Sequence, residues 1–371
     1  MKKSIILTAS AVAAIAAVLC VSVSCKGKQN AKAEPAFRTV IDHNGETAEI
    51  PNKINKIVIH QLLPLPSVLC VFDGSADRLI GIPPGSMTAA RGSLLEKTFP
   101  RITTLSTEFT NGNDLNIEAL LSLEPDVVFH GAGPEVSKQL RDAGIRTVGF
   151  SARKFNYDCI VTFEKWIELL GQTLDKEDKA AGISEYGRKV YNDIQSRLAK
   201  VEEKDKPRAM ILFNYNDSAL TVSGSNFFGQ YWLTSTGAVN VAQDLSGVAP
   251  VNMEQIIQWD PDIIYITNFS PRMPEDLIEN KVAGHDWSQI KAVKNKKVYK
   301  FPLGMYRWFP PASEVPLVLQ WLAKHNQPEI FKDLDMNAET KKFYQKFYQL
   351  NIDDEDIRTI YNPSREAGKY R

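Results

Sequence analysis

The sequence predicts an α/β fold of two lobes, each built on a parallel sheet, joined by a long rigid helix. Three observations predict it: a segment that occurs twice, short apolar runs alternating with helical patterns, and one long amphipathic stretch between the two copies. Residues 115–130 read LNIEALLSLEPDVVFH and residues 251–266 read VNMEQIIQWDPDIIYI, in a register of 136 positions (254 minus 118). Asn116 or Asn252 is placed to cap a helix, and Glu118 or Glu254 stands in its first turn, where a carboxylate suits the positive helix end. Leu120, Leu121 and Leu123 follow at helical spacing, matched by Ile256, Ile257 and Trp259, and a Pro-Asp pair ends each helix. Val127-Val128-Phe129 and Ile263-Ile264-Tyr265 then read as strands buried on both faces.

A chain of 371 residues exceeds one ordinary core, so more than one domain follows. Lys plus Arg and Asp plus Glu both total 44, so no global field draws the chain to nucleic acid. Met1-Lys2-Lys3 and the apolar run from Ile5 to Val23 form an export signal. The run is also near the length of an uncleaved membrane anchor, and on either reading the globular part is exported. Ser22 and Ser24 precede Cys25, and the polar stretch KGKQNAKAEP follows. This resembles a bacterial lipoprotein signal, with Ser22 in the place usually held by Leu, and the resemblance implies a lipid anchor on Cys25. Cys70 and Cys159 are far apart, lack metal spacing, and are left as free or paired.

In order, residues 1–25 are the signal, 26–36 a tether, and 37–154 the first α/β lobe. That lobe opens on FRTVIDHNGETAEIP, a hairpin signal centred on Asn44-Gly45. It continues with a strand at Ile57-Val58-Ile59, a helix through Ser67, Leu69 and Val71, and a strand at residues 77–82. A loop rich in Pro, Gly and Ser, PPGSMTAARGS, leads to the first copy, which a helix at Glu135 to Ala143 and a strand at Arg146 to Phe150 follow. Residues 155–206 are a helical linker, with Ile183, Tyr186, Val190, Ile194, Leu198 and Val201 on one face of a long helix. Residues 207–325 form the second lobe: a strand at Ala209 to Phe213, the SGSNFFGQYW loop and its helix, the second copy, a strand at Lys297 to Phe301 and a helix at Val315 to His325. Residues 326–371 are a helical tail containing KKFYQKFYQL.

The opening hairpin, KIVI, DRLIGI, NIEALLSLEPDVVF, the Gly144-Ile145 turn, the central helix and VNMEQIIQWDPDIIYI together resemble the ABC-importer substrate-binding proteins for ferric siderophores, haem and cobalamin. The resemblance spans about residues 37–325 and implies a ligand cleft between two lobes. It also implies that Glu118 and Glu254 dock to arginines of a membrane permease, whose ATPase subunits drive transport. The tail and the insert at residues 84–110 look like a subgroup associated with iron complexes, nickel chelates or oxoanions.

Ligands of α/β folds bind at the carboxyl ends of parallel strands. In the first lobe that rule selects His60, His130, Ser151 and Arg153, with Ser86, Met87 and Arg91 closing the edge. In the second it selects Tyr215, Asn216, Asn226, Phe227, Phe228, Asn268, Phe269 and the run Met305, Tyr306, Arg307, Trp308. Imidazole and phenolate suit a metal, and arginine suits an anionic chelate. The function expected is capture of an iron or other metal complex, a ferric siderophore or haem first, carried as cargo and not as an intrinsic cofactor. Cobalamin, a nickel chelate or a molybdate-like oxoanion is the alternative. HExxH, a Walker loop, GxSxG and a GxGxxG after a strand are missing, so an enzyme on a chelatase-like fold is the weaker reading.

Overall fold

The computed structural model describes residues 36–111, 114–131 and 133–368. The signal, Cys25 and the tether up to Pro35 lie outside them. The Asn44-Gly45 hairpin forms as its turn chemistry dictates: β1 (Phe37–Ile41) pairs antiparallel with β2 (Thr47–Pro51), and Gly45 takes φ 81°. Asp42 closes the turn, accepting the backbone N–H groups of Asn44 and Glu46 at 2.8 and 3.0 Å.

The first lobe runs β3 (Ile57–His60), α1 (Leu65–Asp73), β4 (Leu79–Gly81), α2 (Pro84–Ala90), α3 (Leu94–Thr98), then the short pair β5 (Thr110–Asn111) and β6 (Asp114–Leu115). It continues through α4 (Ile117–Ser122), β7 (Val127–Gly131), α5 (Pro134–Asp142) and β8 (Thr147–Phe150). Strands β4-β3-β7-β8 make a parallel sheet, and β3 and β8 are buried along their whole length, as continuous apolar runs require.

Between the lobes stand α6 (Cys159–Leu174) and α7 (Glu177–Leu198). The long connecting helix expected over residues 183–201 forms as α7, and it is paired with α6 in a helical hairpin. Asp175 adopts φ 53°, ψ 49° and ends α6, a conformation that a short polar side chain tolerates. Gly171 lets the two helices approach: a Cβ there would stand 2.8 Å from the Cβ of Ala180. The apolar periodicity ran on to Val201, but α7 stops at Leu198.

The second lobe runs β9 (Arg208–Tyr215), β10 (Leu220–Ser223), α8 (Phe228–Ser235), β11 (Val239–Asn240), β12 (Val248–Pro250), α9 (Met253–Trp259) and β13 (Ile263–Ile266). After it come α10 (Pro274–Ile278), α11 (Lys291–Lys294), β14 (Val298–Lys300), α12 (Val315–Asn326), α13 (Met336–Tyr348) and α14 (Asp354–Tyr361). Its sheet has the order β12-β10-β9-β13-β14, with β11 also on β9. The central strands are parallel, but β10 and β12 add an antiparallel edge, because the turn from Tyr215 to Leu220 is too short for a crossover. Both duplicated helices are capped as expected: Asn116 accepts from the N–H of Ala119 at 3.0 Å and Asn252 from that of Gln255 at 2.9 Å.

One apolar cluster runs from Phe129 and Phe150 through Trp166 and Ile183 to Ile211 and Trp321, so both lobes and the hairpin share packing. Polar bonds pin the hairpin at both ends. Arg38 donates to the carbonyl of Thr173 at 2.6 Å and Lys179 to that of Phe72 at 2.7 Å, while Gln195 reaches Ser235 at 2.7 Å. Buried Asp73 pairs with Arg78 at 2.9 Å and Lys176 at 2.5 Å. The two cations are about one-third exposed, at 34% and 31%, so screening moderates the pairs. Replacing Asp73 with Ala is expected to cost about 1–2 kcal/mol. Urea denaturation should show a lower midpoint at unchanged slope, and an unmoved midpoint would remove Asp73 from the joint between lobe and hairpin.

Candidate functional site

The carboxyl edges of the parallel strands meet across a cleft of about 640 Å³. The first lobe supplies Gln61 to Pro64 after β3, Gly131 and Gly133 to Val136 after β7, and Phe150 to Arg153 at the end of β8. Tyr157 comes from the turn just before α6 and Trp166 from α6 itself, and the second lobe supplies Phe213, Phe227, Phe228, Phe269 and the run Phe309 to Pro311.

The second-lobe wall is an interlocked set of rings. Phe213 stacks on Phe269 with centroids 5.0 Å apart and meets Phe227 and Phe309 at 5.7 and 5.6 Å. Tyr157 joins this set across the cleft, packing on Phe227 at 5.5 Å and edge-on to Phe228 at 5.3 Å. On the other side Trp166 stands edge-on to Phe150 at 6.2 Å, its indole N–H held by the carbonyl of Ser151 at 2.9 Å. Such walls offer large apolar area with few rotatable bonds.

Charge is sparse. Arg153 and Glu135 are the charged side chains among the lining residues, and neither forms an ion pair among the described residues. The helices α1, α5 and α8 begin at this cleft behind Pro64, Gly133 and Phe227, none of which provides a side-chain cap. In α8 the N–H of Gly229 is taken by the Oγ of Ser223 at 3.2 Å, so α1 and α5 are the ends without a side-chain partner, and their dipoles leave positive partial charge at the site. By contrast α4, α6 and α9, which start at Asn116, Asp158 and Asn252, are all capped by side chains.

Backbone strain gathers here too. Gln61, Asn156, Tyr157 and Asn226 have φ of 64°, 52°, 56° and 53°, each a conformation costing about 1–3 kcal/mol in a non-glycine residue. Gly131 makes room for the first of them, since a Cβ there would lie 2.9 Å from the Oε1 of Gln61. His43 holds the loop that carries Arg153: its Nδ1 accepts the N–H of Ser151 at 3.1 Å, and its ring packs on Phe150 and Phe155.

Of the expected site residues, the structure brings Arg153 and Phe227 into the cleft, together with Ser151, Phe228 and Phe269. His60 and His130 are side by side in the register of β3 and β7 and buried in the sheet. His60 faces Phe109, and His130 bonds to the carbonyl of Gly131 and to Ser137. Side chains alternate across a sheet, so His60 and His130 point into a layer, and the residue after each, Gln61 beyond β3 and Gly131 at the end of β7, lies at the edge. Ser86 is buried and bonds the carbonyl of Leu63 at 2.8 Å, shaping the cleft loop from behind, while Arg91 is exposed at the end of α2 outside the lining. Asn226 turns away toward Ser246.

Tyr306, Arg307 and Trp308 are buried behind the wall that Phe309 to Pro311 completes. Arg307 donates to the carbonyl of Ala367 at 2.8 Å and lies 4.6 Å from the ring centroid of Phe269, whereas Trp308 packs on Tyr361. Tyr215, bonded to His285 and Trp287, is also structural. Missed from sequence were Gln61, Glu135, Tyr157, Trp166, Phe213 and Phe309; of these only Gln61, one past β3, carried a readable signal. Among the described residues no group of three or more His, Cys, Asp or Glu is arranged to hold a metal ion, and Cys70 and Cys159 are free and buried.

Burial, with help from Lys154, lowers the pKa of His43 from 6.5 to about 4. The folded state thus favours the neutral ring, and this contribution to stability is present above pH 6.5 and lost as pH falls toward about 4. His43→Gln, which keeps an acceptor but does not titrate, should show a shallower acid loss of unfolding free energy than wild type. Parallel pH profiles would remove His43 from the account.

The chain's residues 85–303 match the periplasmic binding protein family model. A periplasmic solute-binding protein of Veillonella parvula is 34% identical, with a TM-score of 0.80 over 89% of this chain and 98% of that one. The molybdate-binding protein MolA of Haemophilus influenzae is 28% identical over 90% of this chain and 94% of its own length. The Fe(3+)-citrate-binding protein YfmC of Bacillus subtilis is 25% identical over 50% of this chain and 56% of its own.

Proposed function

The chain belongs to the periplasmic binding protein family, and from that premise we propose that it is the substrate-binding component of an ABC importer, capturing an anionic metal complex between its lobes. Its family binds solutes for transport and is not one of enzymes. The observation that carries the ligand reading is the composition of the cleft: an aromatic wall around about 640 Å³, with Arg153 and two helix amino ends without a side-chain cap as its positive features. The rings suit the organic periphery of a chelator, and the positive ends suit its net negative charge. Tyr157 and Glu135 are the anionic metal donors available among the lining residues, so a metal would bring most of its ligands with it. A ferric siderophore or haem fits this description. The relation to a molybdate-binding protein over nine-tenths of the chain supports a second reading, a bare oxoanion held by the same positive features.

Delivery to the permease is assigned to Glu118 and Glu254. Both are exposed, stand at matching positions of the repeat, and form no ion pair among the described residues. The lipid on Cys25 would hold the receptor at the membrane. Because the hairpin is bonded to both lobes, closure is expected to be a small tilt.

Titrating the protein with a ferric siderophore, haemin, cobalamin, a nickel chelate and molybdate while recording tryptophan fluorescence, to which Trp166 contributes from the cleft lining, tests the ligand. A metal chelate should bind at about micromolar affinity or tighter, and Arg153→Ala should weaken it at least about tenfold, roughly 1.4 kcal/mol. Response to molybdate alone would select the oxoanion reading, and no response to any would overturn both. Charge reversal of Glu118 and Glu254 together should abolish uptake while leaving ligand affinity intact; normal uptake would reject the docking role.

A further inference from the structure

The two copies of the duplicated helix expose the same side chain. Apolar spacing counts Leu120, Leu121 and their partners Ile256, Ile257 as one buried stripe. The structure divides them: Leu120 and Ile256 are fully buried in the core of their lobes, whereas Leu121 is 46% exposed and Ile257 45% exposed. Successive residues point about 100° apart on a helix, so when one faces the sheet the next faces water.

Among the described residues the exposed large hydrophobics are Phe37, Ile41, Leu121, Val248 and Ile257. Single exposed aliphatic residues are ordinary. Here two of them occupy equivalent repeat positions, 121 and 257, each three residues after an exposed glutamate, 118 or 254. Residues three apart on a helix are neighbours, so each lobe presents a carboxylate beside an aliphatic knob. Each helix returns through a short Pro-Asp turn into the strand it precedes, which sets its first turn toward the strand's carboxyl edge, the side of the cleft.

We propose that Leu121 and Ile257 form, with Glu118 and Glu254, a two-fold repeated contact for the ABC permease dimer, each half of which offers a cation next to an apolar socket. The inference rests on the importer reading and deepens it. A partner that meets the same pattern on both lobes must present its own complement twice, as a two-fold dimer does. Charge sets the choice of partner. A second copy of this chain would bring glutamates against glutamates, whereas a cationic permease loop pairs with both. The apolar knobs then supply salt-insensitive affinity, and the carboxylates supply orientation and on-rate.

The test measures binding of the full chain to its partner permease–ATPase complex in nanodiscs at low and high salt. Leu121→Ser and Ile257→Ser are each expected to weaken binding about tenfold at both salt concentrations, with unchanged Tm and ligand affinity. Leu121→Met and Ile257→Leu should bind as wild type does. If the serine variants bound the complex as tightly as the parent chain, the apolar contact would be refuted while the importer reading stood. If the wild-type chain itself failed to bind, both would fall. A serine effect seen instead as loss of self-association in sedimentation would also overturn the proposal.

Discussion

The helical hairpin of α6 and α7 is the constraint on which the remaining geometry depends, because it is bonded at one end to the first lobe and at the other to the second. Arg38, Lys176 and Lys179 tie it to the first lobe, and Gln195 ties it to α8 of the second. Within the hairpin, Arg188 bonds Glu164 at 2.9 Å, and α7 reaches the tail through Arg197 and Asp333 at 2.9 Å. An apolar cluster continuous through all three parts makes a wide opening costly, since it would expose Trp166 and its neighbours. The cleft's width is thereby set by helix packing, and only modest tilts around it are cheap.

Given that spacing, the chemistry of the cleft follows from sheet geometry. Side chains within β3, β7 and β8 are committed to layers above and below the sheet, so the edge is left to the loops beyond them. Those loops carry glycine, proline and rings, and those after β3 and β7 lead directly into α1 and α5, whose amino ends lack side-chain caps. The result combines apolar surface with diffuse positive potential and only one lining arginine. Left-handed residues at Gln61, Asn156 and Tyr157 show that the surrounding packing holds the rim in shape before any ligand arrives. Arg307 contributes from behind, its guanidinium lying against Phe269 while the tail accepts its N–H.

Much of this was legible in the residues. The duplicated segment located both capped helices and both central strands, because Asn caps and Pro-Asp breaks act locally. The cleft's position followed from the strand-edge rule, and it selected Arg153 and Phe227. The same rule missed by one residue at His60 and His130, because pattern alone does not say which of the residues near a strand's end faces the edge. Tyr306, Arg307 and Trp308 look like a polar-aromatic binding loop in sequence, but α14 and the residues after it cover them, a long-range event with no local signal. The apolar spacing from Ile183 onward located α7, but its pairing with α6 through the left-handed turn at Asp175 is tertiary packing that this spacing does not carry.

The account stands or falls on what occupies the cleft. Mass spectrometry and elemental analysis of the small molecule extracted from protein purified out of its native export compartment measure this directly. The account predicts a metal in stoichiometric amount together with an organic chelator of net negative charge, both lost from the Arg153→Ala protein. Recovery of a neutral, metal-free molecule, or equal retention by the variant, would contradict it.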